Sequence, residues 1–102
     1  MAEKILQINF KFNVSKGEYE AAANSLAGEF AKVDGLRWKV WILNEAENEA
    51  GGIYLFNDES SLDSFLGGPL AAQVQSHPAI EDMTAKKFDV MPDVTAVTRG
   101  PV

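Results

Sequence analysis

The sequence contains no cysteine and only one histidine, His77, among its 102 residues. The lack of cysteine excludes disulfide bonds and thiol catalysis, and it suits the reducing environment of the cytoplasm. One histidine cannot supply both imidazoles of a two-histidine, one-carboxylate iron site within one chain. The spacing of ligands that zinc sites require is also missing. The sequence therefore predicts no metal site.

Several other signatures are missing as well. The pairs Gly51-Gly52 and Gly67-Gly68 do not form a GxGxxG motif, so no dinucleotide cofactor is indicated. No apolar run reaches the length of about 18 residues that a membrane helix needs, and the N-terminus MAEKILQINF lacks the pattern of a secretory signal. The net charge is −6, and the cations are too scattered for a nucleic-acid surface. We therefore expect a cytoplasmic globular protein without nucleic-acid or membrane partners.

The stretch that organises the chain is Gly35 to Asn57, GLRWKVWILNEAENEAGGIYLFN. Its alternation of side chains predicts two long strands joined by a short acidic turn. A turn centred between Ala46 and Glu47 sets the register of the hairpin. The predicted pairs are Trp41 with Gly52, Lys39 with Tyr54, and Trp38 with Leu55.

This register divides the hairpin between two faces of the sheet. We expect the first face to form the core under the helices; its members are Trp38, Val40, Ile42, Ile53 and Leu55. The second face combines rings with cations; its members are Arg37, Lys39, Trp41, Gly52, Tyr54 and Phe56. Exposed aromatic patches usually mark a partner surface or a ligand groove. We therefore expect two sheets to pack face to face in a homodimer.

The segment before the hairpin predicts a strand and a helix. Residues 4–13 alternate, and we expect the apolar set Leu6, Ile8, Phe10 and Phe12 to join Trp38 and Val40 under the helices. The polar set Gln7, Asn9 and Lys11 then shares the second face with Lys39 and Trp41. Ser15 and Glu18 match a capping box at the start of the helix, and Gly35 suits its exit.

After the hairpin the sequence predicts two helices and a last strand. Asn57 or Asp58 caps the first helix, and Pro69 begins a second, shorter one. The strand runs roughly from residue 80 or 81 to residue 91. The resulting order is ferredoxin-like β-α-β-β-α-β, an α+β fold with helices on one face of a four-stranded antiparallel sheet. Residues 1–92 form this single domain, and residues 93–102 form a C-terminal arm expected to lie on the partner subunit.

Few polar groups on the second face suit catalysis. Asn9 is placed to hydrogen-bond a substrate oxygen, and Lys39 to stabilise an enolate or phenolate. Trp41 can orient an aromatic ring, and Tyr54 can donate a proton. Alternatively, these four groups have a structural role and satisfy one another's hydrogen-bonding and packing needs across the dimer interface. A substrate pocket between helices and sheet is the other possible location; its predicted lining is Phe10, Trp38, Phe65 and His77.

The runs LRWKVWILNE, EAGGIYLFNDE and AKKFDV closely resemble the YdhR-like family of monooxygenases. The resemblance extends from Ile5 to about Pro92. It departs from the family pattern at Val33-Asp34-Gly35, where such families often have Pro-Gly. The resemblance implies a dimeric α+β barrel of ferredoxin-like subunits. It also implies a small aromatic substrate, such as a phenol, quinol or polyketide-like molecule, that reacts with dioxygen without metal, flavin or another cofactor.

Two alternatives remain open from the sequence. Related small barrels bind or degrade haem, and His77 is the only histidine available as an axial ligand. A non-enzymatic dimeric module for ligand binding or stress response is the other alternative. An absorbance titration with hemin distinguishes the first, and oxygen consumption with anthrones and hydroquinones distinguishes the second.

Overall fold

A computed structural model describes residues 2–102 as a four-stranded antiparallel sheet with helices. The elements in chain order are β1 (Lys4–Phe12), α1 (Lys16–Ala31), β2 (Leu36–Asn44), β3 (Glu49–Phe56), α2 (Glu59–Leu66), α3 (Pro69–Gln75), β4 (Ile80–Asp89) and α4 (Pro92–Val97). The strands are arranged in the order β2-β3-β1-β4. The predicted ferredoxin-like α+β fold is confirmed, with the short helix α4 added after its last strand.

The helix starts follow the predicted capping residues. The Ser15 side chain accepts a hydrogen bond from the Glu18 N–H, and the Glu18 carboxylate accepts one from the Ser15 N–H. Asp58 caps α2 through the Ser61 N–H at 2.8 Å, and Pro69 lies in the first turn of α3. No helix in the described part of the chain combines the length and apolar character needed to cross a membrane.

The hairpin of β2 and β3 has the predicted register. Trp41 lies opposite Gly52, Lys39 opposite Tyr54, and Trp38 opposite Leu55. A bulge between Leu36 and Trp38 shifts the register at the start of β2, so that Leu36 belongs to the same face as Lys39. The turn is a short 3-10 helix, Glu45–Glu47.

The assignment of the two hairpin faces to core and surface is wrong. Tyr54 and Phe56 are buried and belong to the core that Phe30, Leu62 and Phe65 of the helices form with the sheet. The face that carries Lys39, Trp41 and Tyr54 therefore lies under the helices. Trp38 and Val40 lie on the opposite face, which we call the open face, and the Val40 side chain is 51% exposed.

Pairing with β1 explains this arrangement. Leu6 lies opposite Tyr54 and Ile8 opposite Gly52, so the apolar set of β1 extends the aromatic face of the hairpin. The expectation that this set joins Trp38 and Val40 is therefore also wrong. One apolar face of β1 is enough to determine which face of the hairpin the helices cover, because neighbouring residues in a ladder project to the same side.

The C-terminal segment reaches the open face. The Trp38 indole N–H donates a hydrogen bond to the Pro101 carbonyl oxygen at 2.8 Å. Leu55, which pairs with Trp38 on this face, is fully buried. Residues 93–102 thus contact β2 of their own chain, while their contact with a partner subunit stays a prediction.

Candidate functional site

A cavity of about 180 Å³ lies between α1, the sheet and the connection from α3 to β4. Its wall is mostly apolar, and it is partly open to solvent. Helix α1 contributes Ala22 and Ala23 between the larger Tyr19 and Leu26. Because alanine projects only one methyl group, the middle of this helix leaves space above the sheet. The cavity therefore originates in the side-chain sizes along one face of α1.

The Lys39 side chain lines this cavity and is surrounded by aromatic rings. Its Nζ lies 3.4 Å from the ring centroid of Phe30 and 3.4 Å from that of Trp41. The Tyr54 ring centroid is 4.7 Å away. Phe30 and Trp41 meet edge to face, with centroids 5.3 Å apart. One amine thus lies at the centre of three rings that come from β2, β3 and α1.

The burial of Lys39 among these rings determines its pKa. Nζ has no carboxylate within salt-bridge distance among residues 2–102. The rings attract an ammonium ion, but the loss of water is the dominant effect and lowers the pKa of Lys39 from 10.5 to about 7. Both the amine and the ammonium are therefore populated near neutral pH. An amine of this kind can accept a proton from a ligand in the cavity.

Tyr54 provides the nearest hydroxyl group. Burial, with a smaller contribution from Tyr19, raises the pKa of Tyr54 well above its usual value, so the phenol stays protonated. Within residues 2–102 no buried polar side-chain atom lacks a hydrogen-bond partner, and the Tyr54 hydroxyl makes none of the side-chain hydrogen bonds. The hydroxyl is therefore accessible from the cavity, where it can donate to a bound oxygen atom.

His77 lies at the opposite wall of the cavity, in the connection from α3 to β4. Its Nδ1 accepts a hydrogen bond from the Ala79 N–H at 3.1 Å. The neutral imidazole then carries its proton on Nε2. No group of three or more histidine, cysteine, aspartate or glutamate side chains positioned for a metal ion occurs between residues 2 and 102.

The residues predicted for the site divide between the two faces of the sheet. The cavity brings together five of them: Phe10, Lys39, Trp41, Tyr54 and His77. Phe65 lines a smaller neighbouring cavity with Phe30 and Tyr54. Asn9 and Trp38 lie on the open face, where Asn9 contacts Gln7 and Glu49. The expectation that Asn9 shares a face with Lys39 is wrong, and so is the placement of Trp38 under the helices.

Sequence reasoning missed the contribution of α1. Phe30 completes the rings around Lys39, and Tyr19 stacks on Phe12 with centroids 5.0 Å apart. Tyr19, Ala22, Leu26 and Phe30 recur at helical spacing, which is the sequence pattern of a common helix face. The pair of alanines between large side chains was the available signal for a cavity.

The sequence matches, over residues 5–101, the family described as "Putative mono-oxygenase ydhR". The chain belongs to this family. The match covers β1 to the C-terminal segment, including every residue that lines the cavity. The resemblance inferred from the three sequence runs is confirmed. No curated protein matches the sequence significantly.

Solved structures share the fold at low sequence identity. SnoaB, a cofactor-independent oxygenase from Streptomyces nogalater, has 16% identity and a TM-score of 0.71, covering 91% of this chain and 100% of its own. MhuD, a haem degrader from Mycobacterium tuberculosis crystallised with two haems in its active site, has 17% identity and a TM-score of 0.66, covering 87% and 97%. The protein SO0527 from Shewanella oneidensis has 12% identity and a TM-score of 0.72, covering 87% and 91%. At these identities the likeness establishes the fold alone.

Proposed function

We propose that this protein is a cofactor-independent monooxygenase that oxidises a small aromatic substrate with dioxygen. The observation that carries the proposal is the Lys39 amine, buried among three rings at the wall of an apolar cavity. Membership of a monooxygenase family supports the reaction class. The cofactor-independent SnoaB, with the same fold, supports a mechanism in which the substrate itself supplies the electrons.

The proposed reaction begins with proton transfer. Lys39 Nζ accepts a proton from a weakly acidic phenol, quinol or anthrone-type CH₂, and the resulting ammonium stabilises the substrate anion. The anion then reduces dioxygen. For an anthrone, one oxygen atom enters as the new carbonyl, and the other leaves as water with the two hydrogen atoms that the carbon loses. All four electrons come from the substrate, so no external reductant is needed.

The neighbouring groups position the substrate in this proposal. The protonated Tyr54 hydroxyl donates a hydrogen bond to the substrate oxygen. Trp41, Phe10 and the apolar wall hold the ring and exclude water from the anion. His77 provides a polar group at the far wall. Asn9 and Trp38 have no part in this site because their side chains lie on the open face.

The test is oxygen consumption by colourless protein treated with EDTA. We expect anthrone and a panel of hydroquinones to consume dioxygen faster than their spontaneous oxidation, with anthraquinone formed from anthrone. The variant Ala22→Leu fills the cavity without altering Lys39, and it should lose this activity. Activity that appears only after addition of iron, flavin or hemin would overturn the proposal.

Haem binding finds less support in the site. Ligation of iron through His77 Nε2 requires the imidazole proton on Nδ1, where the Ala79 N–H already donates. A Soret shift with hemin that is lost in His77→Ala would instead support the haem alternative. Saturable binding of the aromatic panel without turnover would support a non-enzymatic binding module.

We also propose a homodimer, now through the open face. The aromatic residues that first suggested it lie under the helices, but the open face exposes other large apolar side chains. Val40 is 51% exposed and Phe88, which pairs with Ile5, is 46% exposed. A second copy of this sheet would remove both from water, and two facing sheets would complete the dimeric α+β barrel that the resemblance implies.

Sedimentation at micromolar concentration tests the assembly. We expect twice the chain mass of 11.1 kDa for the wild-type protein. Phe88→Glu should give a folded monomer, because it places a charge within the proposed interface. Leu43→Glu is the matched control, since Leu43 is 40% exposed but projects from the face opposite to Val40. A wild-type protein that sediments as a monomer would refute the dimer and the barrel together.

A further inference from the structure

We propose that Lys39 has a second activity, in which its amine condenses reversibly with a small aromatic or conjugated aldehyde to form an imine. Its side chain lines the cavity, and its Nζ can be reached from it. This chemistry uses no dioxygen and does not depend on the proposed oxygenase reaction. It follows from the position of the amine at the cavity, from the rings around it, and from its lack of side-chain hydrogen bonds and ion pairs within residues 2–102.

The access of a carbonyl group to Nζ follows from the hydrogen bonds. Lys39 is half-buried, and its amine makes none of the side-chain hydrogen bonds found within residues 2–102. No buried polar side-chain atom in the same residues lacks a partner, so Nζ itself must be in contact with open space. Lys39 also lines a second pocket with Trp41 and Leu36. The amine therefore borders open space beside its ring contacts, which is where we propose that a carbonyl group approaches.

The charge state of the amine supports nucleophilic attack. The titratable groups that line the cavity are Glu18 and Tyr19 of α1, Tyr54 of β3 and His77. None of them forms an ion pair with Lys39, and the Glu18 carboxylate instead accepts hydrogen bonds from Ser15. With burial lowering the pKa of Lys39 to about 7, near half of the amine is neutral at neutral pH. An ordinary lysine, with a pKa near 10.4, is neutral in roughly one molecule in several thousand.

The cavity favours one class of carbonyl compound. Its mostly apolar wall and volume of about 180 Å³ suit a small aromatic or conjugated carbonyl compound. The Tyr54 hydroxyl can donate a hydrogen bond to the carbonyl oxygen during attack. In the balanced step, Nζ forms a bond to the carbonyl carbon and loses its two hydrogens, and the carbonyl oxygen leaves with them as water. The product is a neutral imine, which an aromatic environment tolerates better than an ion.

Reductive trapping with benzaldehyde and sodium cyanoborohydride tests the proposal on the folded protein. Peptide mapping should find one benzyl group on Lys39 at about pH 7, added at least about tenfold faster than on the exposed Lys16. The labelling rate of Lys39 should level off above about pH 7, whereas that of free Nα-acetyl-lysine in a parallel reaction should keep rising towards a pKa near 10.4. Peptide mapping also distinguishes the labels on Lys39 and Lys16 from a label on the N-terminal amine.

Two controls keep the result decisive. Ala22→Leu should slow labelling of Lys39 by filling the cavity, and unfolding in urea should remove the selectivity between Lys39 and Lys16. Both measurements retain the lysine, so they do not depend on how a Lys39 variant folds. Equal labelling of Lys39 and Lys16 in the folded protein, or a Lys39 rate that still rises at about pH 9, would overturn the proposal.

Discussion

Gly51→Ala is expected to abolish the native fold or to lower the free energy of unfolding by about 3 kcal/mol or more. A Cβ at this position lies 1.9 Å from the Ile8 carbonyl oxygen and 2.8 Å from its carbon. Both are backbone atoms of β1, which pairs with β3 at the centre of the sheet. Neither atom can rotate away, so relief requires the two strands to separate. The core side chains of both strands would then lose their packing.

Two other glycines provide graded controls for urea denaturation followed by circular dichroism. A Cβ at Gly52 meets Lys39 Cε at 2.7 Å, an atom of a flexible side chain that can move aside. A Cβ at Gly67 finds its nearest neighbour, the Asp63 carbonyl oxygen, at 3.5 Å. We therefore expect Gly51→Ala to destabilise most, Gly52→Val less, and Gly67→Ala by no more than about 0.5 kcal/mol. Equal stability of all three variants would contradict the register of β1 against β3.

The same sheet shows what sequence patterns can establish. The turn residues and the alternation of side chains were enough to predict that Trp41 lies opposite Gly52. They led to the wrong prediction of the face that the helices cover, because both faces of the hairpin carry large apolar side chains. Trp38 and Val40 alternate with Trp41 in β2, so periodicity is satisfied by either orientation. Which face of the hairpin the helices cover depends on the pairing of Leu6 with Tyr54, a contact between distant parts of the chain.

The site was predictable to the extent that it lies on the hairpin. Lys39, Trp41 and Tyr54 share a face in any arrangement with the confirmed register. The proposed role of Asn9 required the wrong orientation of β1, so it did not survive the structure. The contact of Phe30 with Lys39 was not predicted, because the rotation of α1 over the sheet is set by packing across the core, which the periodicity of a helix does not encode.

Lys39→Met is expected to lower kcat/KM of the proposed oxidation by about 100-fold near neutral pH, the usual order of magnitude for a lost general base. In the wild-type protein kcat/KM should rise with pH around the lysine pKa of about 7, as Nζ loses its proton and becomes able to accept one. In the variant the substrate must ionise unaided, so kcat/KM should keep rising towards a phenolic pKa of about 10. The difference between the two proteins therefore shrinks at high pH.

Stability provides the independent check on Lys39→Met, because the folded state holds the lysine pKa below its unfolded value. Below about pH 7 the buried ammonium carries its full desolvation cost, and the cost disappears as the pH rises through the window from about 7 to 10.5. We expect Lys39→Met to be more stable than the wild-type protein at neutral pH, with the advantage lost near the top of this window. Lys16→Met, which removes an exposed lysine, should change neither the activity nor this pH dependence. A Lys39→Met protein that keeps full activity at neutral pH would remove the amine from the proposed mechanism. A difference in the free energy of unfolding between the two proteins that does not change with pH would show that Lys39 is not buried as an amine.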